Sequence, residues 1–127
     1  MCLGCSLAVL RCLIVDDNAS FLDASRSLLE RQGLSVVGVA STGAEALRLA
    51  TELAPDLVLL DVDLGEENGF TVARQLTDAD GATTKVILIS THPEDDFTEL
   101  LAENPAVGFI AKSDLSVAMI ERLLDGR

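Results

Sequence analysis

The sequence predicts an α/β fold: five short apolar strands, each followed by a helix, built into one doubly wound parallel sheet. Three observations carry this. From residue 10 onward, short apolar runs alternate with longer segments whose apolar residues recur at helical spacing, the pattern of consecutive βα units. Most of the short runs are apolar throughout rather than at every second position, as strands covered on both faces are. The punctuation between them falls where helices must start or stop, with a capping box at Thr42 and breaks at Gly33 and Pro55.

Strands are predicted at residues 10–15, 35–40, 56–60, 85–89 and 107–111. The first helix spans residues 20–32, carries Phe21, Ala24, Leu28 and Leu29 on one stripe, and stops at Gly33, whose missing Cβ suits a left-handed helix end. In the second, Thr42 and Glu45 form a capping box ahead of Leu47, Ala50 and Leu53, and Pro55 prevents continuation. The third holds Val72, Ala73 and Leu76, and the fourth starts near Pro93 and turns Phe97, Leu100 and Leu101 inward. The fifth runs from Ser113 or Asp114 as cap through Val117, Ile120, Leu123 and Leu124 to Gly126. Residues 1–9 are expected to be an N-terminal extension and residues 10–127 a single domain.

Composition narrows the function classes. The 127 residues suffice for one domain that removes about two-thirds of its unfolded surface from water. No apolar run approaches the roughly 18 residues a membrane-crossing helix needs, so no membrane partner is expected. Asp and Glu outnumber Lys and Arg by 21 to 9, for a net charge of −12, and the basic residues are scattered. A direct phosphate-backbone binder needs the opposite, so nucleic acid is not an expected ligand. Three cysteines, two of them crowded at the start, do not make the framework of a secreted disulfide protein and fit a reducing cytoplasm. Cys2 and Cys5 form a C-x-x-C, but no second ligand pair and no thioredoxin-like context accompany it.

In a parallel sheet, ligands gather beyond the carboxyl ends of the strands. The residues there are Asp16 and Asp17 after the first strand, Asp61 after the third, Ser90 and Thr91 after the fourth, and Lys112 after the fifth. Any one of these aspartates alone reads equally as a helix cap, and Asp16 or Asp17 is a candidate cap for the first helix. Together they concentrate negative charge: two like charges about 4 Å apart repel by about 4 kcal/mol at an effective dielectric of 20. A divalent cation that prefers oxygen answers this, and magnesium, which takes one or two carboxylates and keeps room for phosphate oxygens, fits better than structural zinc. A carboxylate nucleophile, a cation and an ammonium suffice for phosphoryl transfer.

The stretches Leu13-Ile14-Val15-Asp16-Asp17, Leu57-Val58-Leu59-Leu60-Asp61, Val86-Ile87-Leu88-Ile89-Ser90 and Gly108-Phe109-Ile110-Ala111-Lys112 resemble the receiver domains of two-component response regulators over about residues 10–125. The resemblance implies a flavodoxin-like fold with strand order 2-1-3-4-5 and five helices. It implies that Asp61 accepts the phosphoryl group, that Asp16 and Asp17 hold Mg2+ together with Asp61 and the backbone carbonyl of Asp63, and that Ser90 and Lys112 engage the phosphoryl oxygens. Phe109 occupies the switch-aromatic position, although it reads equally as core packing. Asp63 and His92 stand where side chains tune hydrolysis of the acyl phosphate, and His92 reads also as an exposed bystander. Gly69, eight residues after Asp61, matches the family as well. The implied partners are a histidine kinase and a downstream protein or output domain bound through the face of the fourth helix, fifth strand and fifth helix, with a homodimer among the assemblies allowed.

Two positions depart from the family. Gly65 stands where many relatives carry Pro, which predicts a freer loop beside the acidic Glu66 and Glu67; Ser113 replaces the Pro that usually follows the Lys and puts the usual cis peptide in doubt. The leading expectation is a stand-alone signalling switch in the cytoplasm, catalysing only its own phosphorylation and dephosphorylation. The runner-up is a receiver cut from a DNA-binding regulator with a helix-turn-helix module. More distant is a magnesium-dependent phosphatase with an aspartate nucleophile, whose D-x-D is superficially matched by Asp61-Val62-Asp63. A flavodoxin-like cofactor carrier lacks the Trp or Tyr to stack on a flavin.

Overall fold

The computed structural model describes residues 10–65, 67–78, 84–92, 97, 99, 102 and 104–124. In chain order the elements are β1 (Arg11–Val15), α1 (Ala19–Arg31), β2 (Ser35–Ala40), α2 (Gly43–Leu53), β3 (Leu57–Asp61), β4 (Asp63–Leu64), β5 (Glu67–Asn68), α3 (Gly69–Asp78), β6 (Lys85–Ser90), β7 (Gly108–Ala111) and α4 (Val117–Leu124), with a 3-10 turn at Lys112–Asp114. The five long strands form one parallel sheet in the order β2-β1-β3-β6-β7, which is the predicted order once the extra hairpin β4-β5 is counted. Among the described residues there are four α-helices. The predicted fifth helix is α4; the predicted fourth, with Pro93, Leu100 and Leu101, lies largely outside the described residues.

Strand alternation sorts the apolar side chains into two cores. Leu13, Val15, Val58, Leu60, Val86, Leu88 and Phe109 face α2 and α3, packing on Ala46, Phe70, Val72, Ala73 and Leu76. Their neighbours Cys12, Ile14, Leu57, Leu59, Ile87, Ile89 and Ile110 face α1 and α4, packing on Leu22, Leu29 and Ile120. Each fully buried Leu or Ile contributes about 2 kcal/mol relative to exposure. Both faces being covered is why β3 is buried at every position and why the strands are apolar without alternation.

The helix ends refine the expectations. Asn18, not Asp16 or Asp17, caps α1, its side chain accepting from the Phe21 N–H at 3.1 Å; Asp16 is instead turned into the protein. Thr42 caps α2 as predicted, accepting from Glu45 N at 3.1 Å, while the Glu45 carboxylate accepts from Ser41 N rather than from the cap itself. Ser113 and Asp114 lie in the 3-10 turn, and the hydroxyl of Ser116 takes the Met119 N–H at 3.1 Å at the start of α4. A three-residue turn after Lys112 pushes the helix start beyond the predicted cap. No cis peptide bond occurs among the described residues, and no helix of the structure is long and apolar enough to cross a membrane.

The segment after β3 also differs from expectation. Instead of a freer loop, Asp63 pairs with Asn68 and Leu64 with Glu67 in an antiparallel hairpin. Gly65 turns it with φ +70°, a value that proline, locked near −65°, cannot reach. The glycine in the departing position is therefore what permits the hairpin.

Candidate functional site

Parallel strands in register carry the predicted residues to one edge of the sheet. Val15 lies beside Leu60, Asp61 beside Ile89, and Ser90 beside Ala111. Asp16 thus leaves β1, Asp61 and Ser90 end β3 and β6, and Lys112 follows β7, all at the carboxyl edge.

Asp16 is fully buried. Its backbone N–H donates to Ala40 O at 3.0 Å and its Oδ1 accepts from Asn18 N at 2.8 Å. Its Oδ2 is buried without an aligned hydrogen bond; the Lys112 ammonium lies 2.5 Å away as an ion pair lacking that alignment. Asp61, only 5% exposed, accepts weakly from Asp63 N at 3.3 Å through Oδ1, while its Oδ2 lies 3.5 Å from Lys112 Nζ. The Lys112 ammonium also sits 4.4 Å from the ring centroid of Phe21, a favourable placement of a cation over a π face. Burial, and secondarily the negative charge of Asp16, push the Asp61 carboxyl up to about 6 against the pull of Lys112 and the Asp63 N–H.

Asp17 is exposed, yet it offers an oxygen to the same space: carboxylate oxygens of Asp16, Asp17 and Asp61 lie within 4.8 Å of one another. Three carboxylates against one ammonium leave two negative charges when all are ionised, which a divalent cation balances. The donor set is oxygen only, with one buried oxygen short of a hydrogen bond, and so fits a hard cation such as magnesium.

Ser90 is buried at the end of β6, its Oγ accepting from His92 N at 3.0 Å. A cleft of about 340 Å³ opens beside it, lined by Val62, Asp63, Glu67, Asn68, Phe70, Ser90, His92 and Phe97. The Asp63 and His92 side chains are exposed. Phe109 is buried and lies 5.8 Å from the Phe97 ring, which in turn lies 5.7 Å from Phe70. The structure therefore gathers Asp16, Asp17, Asp61 and Lys112 tightly, puts Ser90 at the same sheet edge, and leaves Phe109 in the core with its ring against Phe97.

Gly69 explains the tightness of the turn after Asp61. A Cβ there would lie 2.2 Å from Asp61 O and 2.7 Å from Val62 Cα, and its N–H donates to Val62 O at 2.7 Å. Only a residue without a side chain lets α3 start this close to the strand end. Sequence reasoning passed over Asn18, which fixes Asp16; it read Phe21 only as a core position and Glu67 only as local acidity, whereas Glu67 accepts from Gly43 N at 2.8 Å. Asn18 was legible as an N-cap type one residue before a helix, whereas the other two act across the fold and leave no local signal.

The sequence pattern of the response regulator receiver domain matches residues 12–123. Response regulator GacA of Pseudomonas aeruginosa is 34% identical over 105 residues, which are 82% of this chain and 49% of that protein. Protein-glutamate methylesterase/protein-glutamine glutaminase 3 of Geobacter sulfurreducens is 34% identical over 110 residues, 86% of this chain and 29% of that protein. The chain thus spans about half the length, or less, of these curated relatives. Among solved structures, a LuxR-family two-component response regulator from Aurantimonas sp. SI85-9A1 superposes with a TM-score of 0.82 at 31% identity, covering 94% of this chain and 87% of that one. The response regulator domain of Thermotoga maritima CheB superposes with a TM-score of 0.76 at 29% identity, covering 93% and 96%. Fold, site and pattern agree: the chain belongs to the response regulator receiver domain family.

Proposed function

We propose that the chain is a phospho-acceptor switch in which Asp61 receives a phosphoryl group from a histidine kinase in the presence of Mg2+. The observation that carries this is the buried Asp61 carboxylate, grouped with Asp16 and Asp17 and 3.5 Å from the Lys112 ammonium. An Asp61 oxygen attacks phosphorus, the bond from phosphorus to the donor nitrogen or oxygen breaks, and the leaving group departs with the electron pair. Lys112 supplies fixed positive charge for the phosphoryl oxygens, held by two carboxylates and the Phe21 ring. Asp16, Asp17, Asp61 and the Asp63 carbonyl would hold magnesium, which would supply positive charge to the carboxylates and the phosphoryl oxygens. The proposed chemistry is the chain's own phosphorylation on Asp61 and the later hydrolysis of that acyl phosphate by water, without turnover of an external substrate.

The acyl phosphate adds up to two negative charges and new acceptor oxygens. These can accept the Ser90 O–H, whose oxygen already takes the His92 N–H, and a shift of Ser90 toward them changes the space available to Phe109. The readout face is the predicted fourth helix with β7 and α4, where a downstream protein, an output domain or a second copy binds. His92 and Asp63, exposed beside the cleft, tune the access of water to the acyl phosphate. The proposed setting is the cytoplasm, with residues 10–127 as one receiver unit acting as a stand-alone switch. A second reading, the receiver of a longer DNA-binding regulator, is favoured by the match to about half the length of curated relatives; the size of the natural protein in cell extracts separates the two.

The test is incubation with magnesium and a small acyl-phosphate donor, followed by intact mass measurement of the wild type and Asp61→Asn. The wild type is expected to gain one phosphoryl group and the variant none. No gain in either removes the proposal.

A further inference from the structure

We infer that Glu67 is a positioning residue for the cation site: by accepting the N–H of Gly43 it ties the β4-β5 hairpin to the amino end of α2 and so fixes one wall of the carboxylate cluster. This role rests on the function proposed above and assigns Glu67 a part in that same site.

A helix start leaves its first N–H groups without intrahelical partners. In α2, Thr42 Oγ1 takes the Glu45 N–H at 3.1 Å and Glu67 Oε1 takes that of Gly43 at 2.8 Å, across 24 residues of sequence. The carboxylate also lies at the positive end of the helix dipole. The missing side chain at residue 43 makes the approach feasible, because a Cβ there would lie 2.6 Å from Glu67 Oε2 and 2.8 Å from Val72 Cγ2.

The hairpin that Glu67 anchors reaches the cluster through one hydrogen bond and one close approach. Asp63 N donates to Asp61 Oδ1 at 3.3 Å, and a Cβ built on Gly65 would lie 3.3 Å from Asp17 Oδ2. With only two residue pairs, Asp63 with Asn68 and Leu64 with Glu67, such a ribbon does not hold its shape unaided. Its ties are the Gly69 N–H donating to Val62 O at 2.7 Å at its base, the buried Leu64, the Asn68 side chain accepting from Phe70 N at 2.7 Å, and, nearest its tip, Glu67 on Gly43. Glu67 is itself exposed, so burial does not hold it in place. Removing its tie leaves the Asp63 backbone and the hairpin tip free to drift from Asp61 and Asp17.

Calorimetric titration with magnesium chloride of the wild type, Glu67→Ala, Glu67→Gln and Gly43→Ala tests this, with thermal unfolding in chelator confirming that each variant is folded. Loss of a residue that orients the ligands is expected to weaken magnesium binding about tenfold in Glu67→Ala. Glu67→Gln, whose amide oxygen still accepts from Gly43, is expected to stay within about twofold of the wild type, since the hydrogen bond survives. Gly43→Ala displaces the carboxylate and also presses on Val72, so it is at least as weak as Glu67→Ala, and the double variant is no weaker than Gly43→Ala alone. In metal-free protein the Gly43 amide exchanges with solvent faster in Glu67→Ala and not in Glu67→Gln. Equal affinity in wild type and Glu67→Ala, or a Glu67→Gln as weak as Glu67→Ala, overturns the inference while leaving the metal site standing. A wild type that binds no magnesium overturns the metal reading itself.

Discussion

Asp61 concentrates the physics of the site in one side chain. Burial and the neighbouring charge of Asp16 raise its carboxyl to about 6, so the folded state holds the proton more tightly than the unfolded chain does. The stability this group allows is fully present below about pH 4 and is lost as pH rises through 6; above that the ionised carboxylate destabilises the metal-free fold by on the order of 2 to 3 kcal/mol. Asp61→Asn is therefore expected to be more stable than the wild type by about that amount at pH 7.5 in chelator, with the difference shrinking toward pH 4. Chemical unfolding across this range measures it, and magnesium should narrow the gap by stabilising only the wild type. At this scale the sequence was informative at the strand ends: Asp16, Asp17, Asp61, Ser90 and Lys112 were placed at the carboxyl edge from position alone. It was silent on Phe21 beneath Lys112 and on Glu67 at Gly43, because a ring under an ammonium and a bond spanning 24 residues exist only after folding.

Among the elements, the strands were legible because burial on both faces writes a continuous apolar run into the sequence. Their ends moved by at most one residue, as with Asp61, which closes β3 rather than following it. The β4-β5 hairpin was not legible: four residues carry no periodicity, and the glycine at its turn read as freedom rather than as a required φ. The caps of α1 and α4 were misplaced because short turns, not the first polar residue after a strand, decide where a helix begins. Two glycines separate backbone from side-chain tolerance. A methyl group at Gly69 meets the backbone of Asp61 and Val62, whereas one at Gly108 meets only the Leu123 side chain on α4. Gly69→Ala is expected to cost about 3 kcal/mol and Gly108→Ala about 1 kcal/mol or less, since a leucine side chain can rotate and a strand end cannot. Urea unfolding of the two variants under one set of conditions tests the contrast; equal costs would mean that the turn after Asp61 relaxes as readily as a surface side chain.

At the scale of the molecule, one sheet with a core on each face puts its clustered carboxylates and Lys112 at the carboxyl edge. That architecture was readable in the alternation of strands and helices, as was the order of the sheet once the family resemblance was recognised. The predicted fourth helix falls largely outside the described residues. The chain has 21 acidic residues, of which the proposed switch uses one as acceptor, the buried carboxylate of Asp61 beside Lys112. Borohydride cleaves an aspartyl phosphate to homoserine, so reduction after phosphorylation followed by peptide mass measurement reads which carboxylate reacted. Homoserine at position 61 alone is the predicted result. Homoserine at position 16, 17 or 63, or at none, would contradict the assignment of Asp61 as the acceptor.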